Sequence, residues 1–170
     1  CGLCLAMPLR VGAQSSRDEE YDQGGMKGLR TVLLMVFLQD GTSDFRSAEV
    51  QERVALKLRM AGLVVLESLD AYKKLPLSKK LNSGHLRVSI KAPVAFEKFC
   101  KGALNVYLPE VELSQGATLS RGIDVVPVTW KSGSYIHMST PGDYRDESLK
   151  DIDAELDEFL NEWLKWNPKH

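Results

Sequence analysis

The chain has 170 residues, a formal net charge of −1 and an apolar fraction of 44%. That length suits one domain with a tail and buries a core without staples. The near-neutral balance excludes a global field that would draw nucleic acid or anionic lipid. No apolar run approaches the roughly 20 residues that span a bilayer. The charges are nevertheless segregated. Lys57, Arg59, Lys73, Lys74, Lys79, Lys80, Arg87, Lys91 and Lys98 make the stretch from Arg53 to Lys101 basic. Asp143, Asp146, Glu147, Asp151, Asp153, Glu155, Asp157 and Glu158 make the C-terminal part acidic. The plain reading is two solvated faces, and the sharper one is a charged docking face.

The sequence opens Cys1-Gly-Leu-Cys-Leu-Ala-Met-Pro-Leu-Arg-Val-Gly-Ala. A Cys in first position suggests lipoprotein processing, which leaves Cys1 acylated. Two other readings stay open. Val11-Gly12-Ala13 fits a signal-peptidase site, and the numbering can start at a Cys by accident. Gln14–Gly25 is polar and Gly-containing, the composition of a linker. Residues 1–25 are therefore expected to form an extended attachment arm, and residues 26–170 a single globular domain. Leu3, Leu5, Met7 and Leu9 give the arm apolar surface for a partner or a membrane. Met26 to Leu38 imitates a signal peptide, but no small-x-small cleavage site follows it.

Cys1-Gly-Leu-Cys4 has CxxC spacing without the strand and helix of a redox site and without a second ligand pair for zinc. His85, His137 and His170 are scattered singly. No metal or cofactor is expected. Cys4 and Cys100 are two unrelated thiols, or a bridge in an oxidising compartment.

Leu29–Leu38 is apolar and β-rich between Gly28 and Gly41, which predicts a central strand. Asp44 or Ser47 then caps a helix running to Met60, with Val50, Val54, Leu58 and Ala61 on one face and Gly62 ending it. Leu63–Leu66 reads as a second strand, giving β-α-β with a parallel crossover. Ser68–Gly84 is polar and lysine-rich. It predicts a surface loop with one helical turn near Asp70–Lys74. His85–Ile90, Ala103–Leu113 and Ile123–Trp130 alternate as strands, and Ser134–Met138 extends the last. Short Gly-containing turns between them make an antiparallel meander. Phe96 and Phe99 read as core or sheet-face residues.

The last element is a helix N-capped at Asp146. Leu149, Ile152, Leu156, Phe159, Leu160 and Trp163 recur at three and four, acids crowd its first turns, and Asn167-Pro168 stops it. Trp163 reads as core and Trp166 as rim. An exposed Trp166 suits a contact site. The fold class is α+β: a β-α-β unit, an antiparallel meander, and a C-terminal amphipathic helix on the sheet, with the helices on one sheet face.

Three segments carry a resemblance: Leu58-Arg-Met-Ala-Gly-Leu-Val-Val-Leu66, Val128-Thr-Trp-Lys-Ser-Gly-Ser134, and Leu156-Asp-Glu-Phe-Leu-Asn-Glu-Trp-Leu-Lys-Trp-Asn-Pro168. Over residues 28–168 the chain resembles a family of uncharacterised exported bacterial proteins. Its β-α-β opening is more weakly similar to N-terminal domains of periplasmic proteins such as TolB, which bind partners. The motifs are structural, so the resemblance implies fold and carries no activity.

The chain has no Gly-rich phosphate loop and no GxSxG. Ser83 and His85 share a strand face without triad geometry. Asp151 and Glu155 are expected on an exposed helix face, where burial cannot tune their pKa. Lys73–Lys80 lacks aromatic interleaving, which argues against nucleic acid as a partner. The expectation is a non-catalytic exported accessory subunit, not an enzyme. It works on the periplasmic side, membrane-anchored or membrane-peripheral. It binds a larger membrane-associated protein assembly through the arm, a respiratory or photosynthetic complex being a suitable host. The alternatives are a periplasmic carrier of a small ligand or lipid, with its pocket between sheet and helix, and an enzyme of unrecognised type.

Overall fold

Thr31–Gln39 (β1) reads TVLLMVFLQ. An apolar, β-rich run of this kind gains most from neighbours on both sides and a covered face. A computed structural model describes residues 25–39, 47–91, 105–133, 135–140 and 142–168. It pairs β1 with two parallel strands, Val64–Leu66 (β2) and Ser83–Lys91 (β3). Thr31 lies opposite Val64 on one side and Ser83 on the other. The crossover to β2 is the helix Ser47–Ala61 (α1). Val50, Val54 and Leu58 are buried on its expected face. Gly62 follows it with φ +110°, a left-handed conformation that suits the residue past a helix end.

From β3 the sheet turns antiparallel. Asn105–Ser114 (β4) pairs with β3, and Val128–Lys131 (β7) with the end of β4. His137–Ser139 (β8) pairs with the start of β4. The order is β2-β1-β3-β4-β7, and the expected antiparallel run is present as β3, β4 and β7.

Four details differ from the sequence reading. Ser68–Gly84 is not a loop with one turn. It holds two short helices, Leu69–Lys73 (α2) and Leu77–Lys80 (α3), and its last residues belong to β3. The Ser68 hydroxyl caps α2 by accepting from Ala71 N, and Pro76 starts α3. Ile123–Trp130 is not one strand. Asp124–Val125 (β6) pairs with Ala117–Thr118 (β5) in a separate ribbon, and Pro127 lies between it and β7. Proline has no N–H to give a ladder, so the strand breaks there. The final helix, Tyr144–Trp166 (α4), is capped at Asp143, placing Asp146 in its first turn. The helices do not all lie on one side. Tyr72 of α2 packs edge-on to His85, which points away from the face carrying Leu86 and Val88. Asp44, Phe96 and Phe99 lie outside the described residues.

The core fills the space between the sheet and α1 with α4. Leu86, Val88 and Ile90 alternate inward on β3 to meet Val111 and Leu113 of β4. From α4, Leu149, Ile152, Leu156, Phe159, Leu160 and Trp163 are all buried, as the spacing requires. Phe159 meets Trp130 of β7 edge to face, with ring centroids 5.3 Å apart. Trp163 Nε1 donates to the Leu29 carbonyl at 2.9 Å. One further turn along, Asn167 holds the segment that leads into β1. Its Nδ2 donates to the carbonyls of Met26 (2.8 Å) and Trp163 (2.9 Å), and its Oδ1 accepts from Gly28 N (2.9 Å).

Phe159 is fully buried, so truncation to Ala should cost about 3–5 kcal/mol, the usual range for a core aromatic. Urea unfolding of F159A against the parent checks this. A loss below about 1 kcal/mol would mean that α4 does not depend on this contact.

Candidate functional site

The period of two in a strand divides the sheet into two faces. One is covered by α1 and α4. The other carries the outward residues of β1, β3, β4 and β7; α2 packs on part of it through Tyr72, and Leu33, Ser89 and Glu110 on it are buried, while Phe37 is exposed. Register sets Arg87 opposite Glu112 and Ser89 opposite Glu110, and Glu112 opposite Lys131. A strip of alternating charge therefore runs across three strands. Lys131 Nζ lies 2.6 Å from Glu110 and 3.4 Å from Glu112, and Lys91 contacts Glu110 from the other side. Arg87 lies 3.7 Å from Glu112, and its guanidinium sits 5.1 Å from the centroid of the Phe37 ring. Phe37 is 44% exposed at this end of the strip.

Glu110 is the buried member, with 3% of its side chain exposed. Burial alone would raise its carboxyl. Hydrogen bonds from Lys131 and then Lys91 outweigh that and hold it below the ordinary glutamate range. Lys131 is raised in return, first by its bond to Glu110. Beside this satisfied group stand three that are not. Among the described residues, His85 Nε2, Arg87 Nε and Ser89 Oγ are buried without a hydrogen-bond partner. They occupy three successive outward positions of β3. Buried polar atoms usually find partners; these are already shielded from solvent, so the exposed members of this face are Phe37 and the Arg87 guanidinium.

A second polar cluster lies where β8 meets α4. Tyr107 donates to Asp151 Oδ2 at 2.6 Å, and His137 Nδ1 lies 2.8 Å from the same oxygen. The Tyr107 ring stacks on His137 and meets Tyr144 edge-on. Burial, reinforced by Asp151, pushes the Tyr107 phenol above its usual range. A His–Asp pair can orient a base, but a nucleophile must face the other ring nitrogen. Among the described residues His137 Nε2, Ser139 Oγ and Ser148 Oγ have no hydrogen-bond partner, so no hydroxyl is bonded to this imidazole. The cluster as built fastens β8 to α4.

Asp151 and Glu155 are not on an exposed helix face. Glu155 follows Ile152 by three and precedes Phe159 by four, so it shares their stripe and is 8% exposed. Its carboxyl is raised, first by burial and then by Glu158 and Asp151, with the Ser132 hydroxyl opposing. Asp151 lies one turn earlier and is half-buried beside Tyr107 and His137.

Of the contact residues read from the sequence, Trp166 is half-buried against the core edge, and its Nε1 donates to Glu162 at 3.0 Å. Cys1, Leu3, Leu5, Met7 and Leu9 lie outside the described residues, as do Cys4 and Cys100. The charged strip was missed, although its signal was present. Arg87 and Lys91 alternate on one strand and Glu110 and Glu112 on the next, a pattern of facing cross-strand pairs. Among the described residues no three metal-capable side chains converge, and no helix is long and apolar enough to cross a membrane.

No protein-family model matches the chain, and no curated protein matches it. Among solved structures, a PelC dodecamer from Paraburkholderia phytofirmans is similar over 76% of this chain and 89% of its own. Identity is 15% and the TM-score 0.40, too distant a likeness to carry an argument.

The raised carboxyl of Glu155 sets a pH dependence. Such an acid binds its proton more tightly folded than unfolded. Its contribution favours the fold at low pH and is lost as pH rises from the usual glutamate range through the raised value. Glu155→Gln should therefore be more stable than the parent at neutral pH, with the gain closing near about pH 4. Urea unfolding at both pH values reads this. A neutral-pH loss of stability in the Gln variant would contradict it.

Proposed function

We propose that this protein is a non-catalytic exported accessory subunit. It sits on the periplasmic side and binds a larger membrane-associated protein assembly, of which a respiratory or photosynthetic complex is one suitable kind. Residues 1–25 attach it, through Leu3, Leu5, Met7 and Leu9 and an acylated Cys1. The sheet face away from α1 and α4 presents Phe37 and Arg87 to the partner. The exposed Phe37 ring beneath the half-exposed Arg87 guanidinium carries the reading. An exposed aromatic stacked under an arginine is the kind of pair that dominates protein contacts. The resemblance to exported bacterial proteins supports the location.

The carrier alternative calls for a pocket between sheet and helix. That interface is occupied by Val88, Val111, Leu113, Ile152, Leu156 and Phe159, all almost fully buried. The accessory reading is favoured for that reason.

Two variants test the proposal by co-fractionation with the host membrane. Deleting residues 1–25 should leave a folded domain and abolish association. Phe37→Ser with Arg87→Glu should weaken capture of the partner assembly by about 10-fold or more, the effect expected of a contact centre. If the deleted protein still co-fractionates fully, attachment does not run through the arm. If the double variant binds as the parent does, that sheet face is not the contact.

A further inference from the structure

The α2–α3 corner carries an unusual surface. Leu69, Leu77 and Leu81 are 52%, 73% and 76% exposed. Leu81 N donates to the Leu77 carbonyl, so these two side chains stand one helical turn apart on one side. Lys73, Lys74 and Lys79 are exposed around them. Lys80 Nζ donates to the Lys73 carbonyl at 3.0 Å and ties the two short helices together. From Leu69 to Ser83 the acid is Asp70 alone, against four lysines.

The position of this corner matters as much as its chemistry. Asn82, next to Leu81, accepts from Arg30 N and Thr31 N through its carbonyl. Its side-chain oxygen would lie 3.7 Å from a Cβ at Gly28. The corner thus abuts the turn through which residues 1–25 join the domain. Exposed Lys27 and Arg30 of that turn add to its charge.

We propose that this leucine–lysine corner is a second membrane contact, which seats on anionic phospholipid. Lysines meet the headgroup charge while Leu77 and Leu81 enter the interface between headgroup and acyl chain. Protruding leucines ringed by lysines match a lipid surface better than a protein groove, where apolar side chains would need a shaped pocket. Placement beside the turn at which the arm joins the domain lets both contacts engage one bilayer. A weak lipid anchor gains most from such a second, basic signal. The inference rests on the membrane-side location proposed above, but not on acylation of Cys1.

The test is sedimentation of the full chain with phosphatidylcholine vesicles, with and without phosphatidylglycerol. Binding should rise with phosphatidylglycerol and fall with added salt. Lys79→Glu with Lys80→Glu should remove the phosphatidylglycerol-dependent part, lowering partition about 10-fold or more while binding to neutral vesicles stays unchanged. Leu77→Ser with Leu81→Ser should weaken binding to the charged vesicles at every salt concentration. Substituting Leu3, Leu5, Met7 and Leu9 by Ser instead lowers binding to both vesicle types alike. If phosphatidylglycerol adds nothing, or the charge-reversed protein keeps its full dependence on it, the corner is not a lipid contact. If the arm variant alone behaves as the parent, the corner stands and the arm reading fails.

Discussion

Asn167 makes three side-chain hydrogen bonds inside the domain, to Met26, Gly28 and its own helix at Trp163. It is 5% exposed, so a lost partner could not be replaced by water. An unsatisfied buried amide costs about 1–3 kcal/mol. With Trp163 bonded to Leu29, this residue fixes where the end of α4 sits relative to the entry of β1. These contacts join positions some 140 residues apart, which local propensity could not bring together. Once they form, α4 lies along the sheet and closes the core. On the opposite sheet face Phe37 and the Arg87 guanidinium are the groups left exposed.

The two faces solve burial differently. Beneath α1 and α4 the solution is apolar packing, interrupted by Glu155. On the other side it is charge balance, in which Glu110 remains ionised because two lysines reach it. Breaking a buried pair is expensive because the remaining charge is stranded. The strip is thus stable as a set and vulnerable to loss of its members. Glu155 and Glu110 make an instructive pair. Both are buried glutamates, yet burial raises the carboxyl of Glu155 while two lysines hold that of Glu110 down.

Much of the architecture was legible because it repeats. The stripe Val50, Val54, Leu58 and the stripe Leu149 to Trp163 are written at helical spacing, and β3 alternates cleanly. The β-α-β opening and C-terminal helix followed. What escaped depends on single residues acting locally or on contacts remote in sequence. Pro127 broke a strand that composition alone made continuous. Ser68 and Pro76 built helices within a lysine-rich stretch that read as loop. Glu155 was assigned to solvent by its charge, although its spacing from Ile152 and Phe159 placed it inside. The Arg87–Glu112 pair needed the strand register, which no single segment states.

The borders of the sheet have a consequence of their own. At one margin stands β2, three residues long. The other margin is divided between β7, of four residues, and β8, of three, with Pro127 just ahead of β7. Yet β2 covers only Thr31 to Leu33 of β1, and among the described residues Leu34 to Gln39 has no strand partner on that side. That stretch, and not the divided β7–β8 margin, is the template that backbone pairing with another strand would use.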